Sequence, residues 1–297
     1  MSRPRVLVTG ATGFIGRHLV ADLAPTHDVT ALVRVESEQK LDVDDKAISV
    51  RSYRNESDIG NIFEQVAPEL TIHLATHFPL RGHSSDFRPL IDANITFGAE
   101  VASAAAKAGS RFILTSSYWQ HFESAPYAPV SLYAASKEAF RTLLQYYIDI
   151  EGLEVVDLCL FDTYGRSDDR GKLLQLLLQA AIRGDTLKMS QGTQLINLLD
   201  VRDVCAGIRA ALLAPIGNYE LRSADWLTVR QLVAIVGDVV GRNIAVEWGA
   251  LDERPREMRF PWVVAPLVPQ WTPTIDLRRG ISEMLAAIPQ EPANVDS

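Results

Sequence analysis

Cysteine is close to absent from this chain: Cys159 and Cys205 are the only two among 297 residues. Each stands in an apolar segment, so both read as reduced core residues, and neither a disulfide framework nor a cysteine metal pair is expected. No apolar stretch reaches the roughly 18 residues that cross a bilayer. The first expected strand begins at Arg5, which leaves no room for a signal peptide, so a cytoplasmic location is expected. Positive charge is in deficit, with 29 Lys and Arg against 37 Asp and Glu for a formal charge of −8, and this argues against nucleic acid or an anionic membrane as partner. His73, His77, His83 and His121 lack metal-ligand spacing, so no metal is expected. His73 reads as a strand-end residue, and His77 and His121 as pocket lining. There is no internal repeat and no low-complexity stretch.

What is present is enough apolar content, 47%, for one large α/β core with a smaller lobe. Strands and helices alternate, which implies a doubly wound parallel sheet with helices on both faces. Strands are expected at 5–9, 28–33, 48–52, 70–74, 111–116 and 154–160. The spacing predicts helices over 17–23, 91–108, 133–150 and 172–183, a short strand at 187–189, and a helix over 229–240 that Thr228 can cap. The expected organisation is a dinucleotide-binding domain over 1–165, rejoined by about 194–215. A substrate-binding lobe is expected over 166–193 and 216–288, and a disordered tail over 289–297.

Two motifs carry chemistry. Gly10-Ala11-Thr12-Gly13-Phe14-Ile15-Gly16 follows the apolar run from Arg5 to Thr9. A buried strand thus ends in a turn tight enough to need Gly10, Gly13 lets the backbone approach a pyrophosphate, and Gly16 lets the next helix pack on the sheet. The second motif is Tyr133-Ala134-Ala135-Ser136-Lys137. Tyr and Lys four apart share one helix face, and a nearby ammonium favours phenolate, so the tyrosine pKa is expected to fall from its reference of about 10. The segment Phe112-Ile113-Leu114-Thr115-Ser116-Ser117 reads as a buried strand that delivers hydroxyls to the carboxyl edge of the sheet.

The order of GATGFIG, IHLAT (72–76), ILTSS, YAASK, LFDTYG (160–165) and DVRDV (200–204) resembles the extended short-chain dehydrogenase/reductases, a Rossmann-type family of nucleotide-sugar epimerases, dehydratases and ketoreductases. The resemblance runs from about Arg5 to about Leu285. It implies that Ser117 and Tyr133 hold a substrate carbonyl, and that Lys137 holds the nicotinamide ribose and tunes Tyr133. Ser117 rather than Ser116 matches the family's catalytic hydroxyl. The resemblance also implies cofactor contacts from Gly10, Thr12, Gly13, Phe14, Ile15 and Gly16, from Leu74, Ala75 and Thr76, and from Ser52 and Tyr53 beside the adenine. A homodimer formed by the helices at 91–108 and 133–150 is expected.

Cofactor and substrate follow from departures. Val33 stands where members using NAD place an acid, and Arg34 directly after it suits the 2′-phosphate of NADP(H). After Ser117 the chain reads Tyr118-Trp119-Gln120, without the Asp-Glu pair of the dehydratases, so dehydration is not expected. Ile196 replaces the arginine that many epimerases use to clamp a diphosphate. Tyr118 and Trp119 are candidates to stack on a sugar or base, and Asp162 and Arg254 are further substrate contacts, Arg254 for a diphosphate. The whole is most similar to the branch containing CDP-abequose synthase and related 4-ketoreductases. The expected activity is NADPH-dependent reduction of the 4-keto group of a CDP- or dTDP-linked deoxyhexose. The alternatives are a nucleotide-sugar 4-epimerase with tightly bound NAD and a non-catalytic NADP-sensing regulatory protein.

Overall fold

Seven strands form one wholly parallel sheet: β1 (Arg5–Thr9), β2 (Asp28–Arg34), β3 (Ile48–Tyr53), β4 (Leu70–His73), β5 (Arg111–Ser117), β6 (Val155–Leu160) and β7 (Gly217–Leu221). Their spatial order is β7-β6-β5-β4-β1-β2-β3. The computed structural model describes residues 2–40, 48–79 and 87–288, and His83 and the tail at 289–297 lie outside the described residues. Val6, Leu7 and Val8 are fully buried, as a parallel strand covered on both faces demands. Strand order reverses between β1 and β4, which opens a crevice beyond their carboxyl ends.

Helices cover both faces. α1 (Phe14–Leu23) packs on one face with a later helix, and α2 (Glu56–Val66), α3 (Phe97–Ala108) and α4 (Leu132–Asp149) pack on the other. Side chains start α2 and α4 where the backbone donors would otherwise be orphaned. Asn55 Oδ1 accepts from Asp58 N, and Ser131 Oγ accepts from Ala134 N. The helix expected over 91–108 is not continuous. A short helix Phe87–Ile91 passes through a π-helical turn, Asp92–Thr96, before α3. The extra residue of a π turn reorients the side chains around it, and here it accompanies a fully hydrogen-bonded, buried Asn94.

The smaller lobe is built on α5 (Leu173–Arg183), and α6 (Val201–Ala211) returns the chain to the sheet beside α1. α7 (Val229–Val240) and α8 (Leu277–Ala287) complete the lobe around Leu177, Leu232, Val236 and Ile281. Thr228 caps α7 in a reciprocal box with Gln231, as expected. The expected boundary at 216 moves. Gly217–Leu221 is the edge strand of the large sheet, paired in parallel with β6, so the return to the sheet runs to Leu221.

The DVRDV segment proves to be a hub between the two parts. Asp200 caps α6 and binds Arg202, which reaches Glu283 of α8. Asp203 accepts from Thr274 N, Thr274 Oγ1 and Ile275 N, and its carbonyl accepts from Trp271 Nε1. Cys159 and Cys205 are buried and free.

Candidate active site

β1 delivers the chain into the glycine turn, where Gly10 adopts φ +68° and a Cβ there would stand 2.6 Å from Ala75 N. Only glycine fits both that conformation and that approach. A Cβ on Gly16 would collide with the Gly10 carbonyl, so α1 can begin this close to the strand only without a side chain. The helix begins at Phe14, earlier than the 17–23 expected, and points its first N–H groups toward the crevice.

A cleft of 1040 Å³ opens there. It gathers the expected cofactor residues Gly10, Thr12, Gly13, Phe14, Ile15, Gly16, Arg34, Tyr53, Leu74, Ala75 and Thr76 with Ser117, Tyr118, Trp119, Tyr133, Lys137 and Asp162. His77 also lines it. Three expected residues fall outside the lining. Ser52 alternates with Tyr53 along β3 and so faces the other side of the sheet from the ring that stacks on Phe97 at 4.8 Å. Arg254 stands over the Trp119 ring, its guanidinium 5.4 Å from the ring centre. His121 is buried away from the cleft, its Nδ1 3.1 Å from the Ala125 carbonyl.

Tyr133 is enclosed by Phe78, edge-on at 4.9 Å, and by Trp119 at 6.4 Å. The expected lowering of its pKa is overturned. Burial pushes the phenol up to about 12, against smaller opposing effects of the Thr76 hydroxyl and Arg170. The same burial brings the Lys137 ammonium down to about 8, with Asp157 opposing. At neutral pH both carry their protons, which suits Tyr133 to give one away.

The two serines stand together at the end of β5. Ser117 Oγ accepts from Trp119 N at 3.3 Å, and Ser117 N donates to Gln120 Oε1 at 2.9 Å, which fixes the turn that leaves β5. Ser116, buried next to it on β5, also lines the cleft. Tyr118 stacks on Phe161 at 4.7 Å and donates from its hydroxyl to Asp162 Oδ2 at 2.9 Å.

Three residues of the site escape sequence reasoning. Asn94 accepts from Thr76 Oγ1 (3.0 Å) and His77 N (2.6 Å), and donates to the His77 carbonyl (3.2 Å) and Ser136 Oγ (2.9 Å). Its signal was an amide set between Ala93 and Ile95 in an expected helix. Arg170 grips Asp168 through Nε and Nη2, donates to the Thr163 carbonyl, and lies 4.1 Å over the Phe14 ring. Lys172 sits 3.9 Å over the Phe78 ring, its ammonium pKa lowered by burial. Nothing in the sequence marked these two cations.

The family model described as the NAD dependent epimerase/dehydratase family matches residues 6–220. Among curated proteins, the chain is 25% identical to CDP-abequose synthase of Yersinia pseudotuberculosis, over 82% of this chain and 88% of that one. It is 28% identical to UDP-glucose 4-epimerase of Mycolicibacterium smegmatis, over 94% and 96%. Among solved structures, the Thermus thermophilus UDP-glucose 4-epimerase complex with NAD superposes with a TM-score of 0.81 at 22% identity, covering 95% of this chain and 98% of that one.

Proposed function

Because the chain belongs to the NAD dependent epimerase/dehydratase family, we propose that it is an NADPH-dependent reductase of the 4-keto group of a CDP- or dTDP-linked deoxyhexose. The glycine cradle that a Cβ would fill accommodates a dinucleotide pyrophosphate. The observation that carries the reading is the end of β2. Val33 is buried and no acid stands at that position, while Arg34 is exposed on the cleft wall. A guanidinium there meets a 2′-phosphate, whereas an acid would repel it. Similarity to CDP-abequose synthase supports the substrate class.

NADPH, when bound, supplies a hydride to the ketone carbon. Tyr133 donates its phenolic proton to the ketone oxygen as the C–H bond forms, so ketone, hydride and proton become alcohol. Ser117 Oγ hydrogen-bonds the same oxygen, and Lys137 binds the nicotinamide ribose and stabilises the phenolate left on Tyr133. Where a dehydratase needs acids, Tyr118 and Trp119 offer aromatic walls, so elimination has no carboxylate pair beside Ser117. Residues 1–165 with the returning segment hold the cofactor, and the smaller lobe with Asp162 and Arg254 holds the nucleotide sugar. Leu143, Tyr146 and Ile150 leave an exposed apolar stripe along α4, which supports a homodimer. The enzyme works in the cytoplasm.

A nucleotide-sugar 4-epimerase with tightly bound NAD is the second reading, favoured by the full-length similarity to UDP-glucose 4-epimerase. Consumption of one NADPH per ketone separates the two, since an epimerase returns its hydride within each turnover.

A further inference from the structure

The loop that follows Gly165 is tied to the first helix of the fold. Arg17 Nη2 donates to the Ser167 carbonyl at 2.7 Å and to Asp169 Oδ1 at 3.2 Å, and His18 Nε2 donates to the Arg166 carbonyl at 3.2 Å. Ser167 takes φ +59°, in the left-handed region that side chains disfavour. These ties bring Asp169 and Arg170 to the wall of the cleft.

Arg170 is fixed along one edge and across one face. Its Nε donates to Asp168 Oδ1 at 2.7 Å, and its Nη2 donates to Asp168 Oδ2 at 2.8 Å and to the Thr163 carbonyl at 2.7 Å. The guanidinium lies 4.1 Å over the Phe14 ring, and Asp168 is buried. What is left is Nη1, which has no hydrogen-bond partner among the described residues. A guanidinium offers donors only, so its free edge calls for an anion. The acids of the cleft wall do not supply one, since Asp169 is held by Arg17 and Asp162 by the Tyr118 hydroxyl.

Position tells which anion. Phe14, beneath the guanidinium, is the first residue of α1, whose free N–H groups face the crevice. Thr163 follows β6, and β6 lies on the opposite side of β1 from β2, the strand that ends in Arg34. Arg170 therefore enters from the half of the cleft that holds Tyr133 and Lys137.

We propose that Arg170 binds the pyrophosphate of the dinucleotide through Nη1, at the phosphate on the nicotinamide side, with Asp168 as the group that aims it. It rests on the reading of the cleft as the dinucleotide site. The glycine turn offers that pyrophosphate only backbone donors, and Arg170 adds a cation whose plane is set before the ligand arrives.

The test compares two ligands by fluorescence titration. NADPH carries both phosphates of the bridge, whereas adenosine 2′,5′-bisphosphate carries only the one on the adenosine side. In Arg170→Gln, NADPH should bind at least about tenfold more weakly than in the wild type, the scale of a lost hydrogen bond to a charged group, and the bisphosphate should bind as before. Equal losses for both ligands would mean that the arginine only supports the fold, and no loss for either would mean that it meets no phosphate; each overturns the proposal. Weakened binding of CDP or dTDP with NADPH unaffected would give the free edge to the substrate's diphosphate, and overturns it as well. Because Arg170→Gln leaves a buried carboxylate without its partner, the pair is also replaced together, Asp168→Asn with Arg170→Gln, and the same pattern is expected. A wild type that binds no dinucleotide defeats the reading of the cleft, whereas a wild type and variants that bind NADPH equally defeat this proposal alone.

Discussion

Thr9 Oγ1 and His73 Nδ1 lie 3.0 Å apart in the buried seam between β1 and β4. Thr9 Oγ1 also accepts from Ala75 N at 3.2 Å, and burial, together with the Lys137 ammonium, holds the His73 ring neutral. The pair links the two strands whose ends frame the cofactor crevice.

Acid should therefore unfold the protein partly through this residue. The folded-state pKa of His73 is about 3, against about 6.5 when unfolded. Between those values the unfolded chain binds the extra proton, so stability is lost as pH falls from about 6.5 toward 3. At about 1.4 kcal/mol per unit, the loss is on the order of a few kcal/mol. Denaturant melts of wild type and His73→Leu across that range check it. The variant should lose less stability on acidification, and parallel curves would contradict the account.

Cofactor choice should reside in Arg34. NADPH should bind at least about tenfold tighter than NADH, about 1.4 kcal/mol. Arg34→Asp, which replaces a phosphate donor with a ribose acceptor, should reverse the preference. Equal affinities in a fluorescence titration of the wild type would contradict the assignment.

Tyr133→Phe should retain cofactor affinity while turnover falls by a factor on the order of 10² or more, the usual scale for loss of a general acid. Ser117→Ala should cut turnover strongly, whereas Ser116→Ala should not, since Ser117 is the serine that matches the family's catalytic hydroxyl. Turnover of Tyr133→Phe within about threefold of wild type would move the proton donor elsewhere.

Much of the fold is legible in the sequence because a parallel strand buried on both faces is a continuous apolar run, as in Val6-Leu7-Val8 and Phe112-Ile113-Leu114. The last sheet strand is not. Gly217–Leu221 carries Glu220, whose charge looks like a loop in sequence. In the fold it is fully buried, bound by Arg222 Nε at 2.8 Å and by the N–H groups of Val264 and Ala265. The π turn at Asp92–Thr96 is invisible for a related reason, because the bonds of Asn94 reach residues distant in sequence. Motif spacing brought Tyr133, Lys137 and the glycine turn to one cleft. It could not give the tyrosine's protonation, because Phe78 and Trp119 bury that ring and no local pattern records them.

The central claim is reduction of a ketone at the expense of NADPH, and the direct measurement is absorbance at the reduced-nicotinamide band. The protein is mixed with NADPH and freshly generated CDP-, dTDP- and GDP-linked 4-keto-6-deoxyhexoses. The account predicts loss of one NADPH per ketone with the CDP- or dTDP-linked sugar. No oxidation with any of the three, together with interconversion of a nucleotide sugar without added cofactor, would contradict it and establish the epimerase.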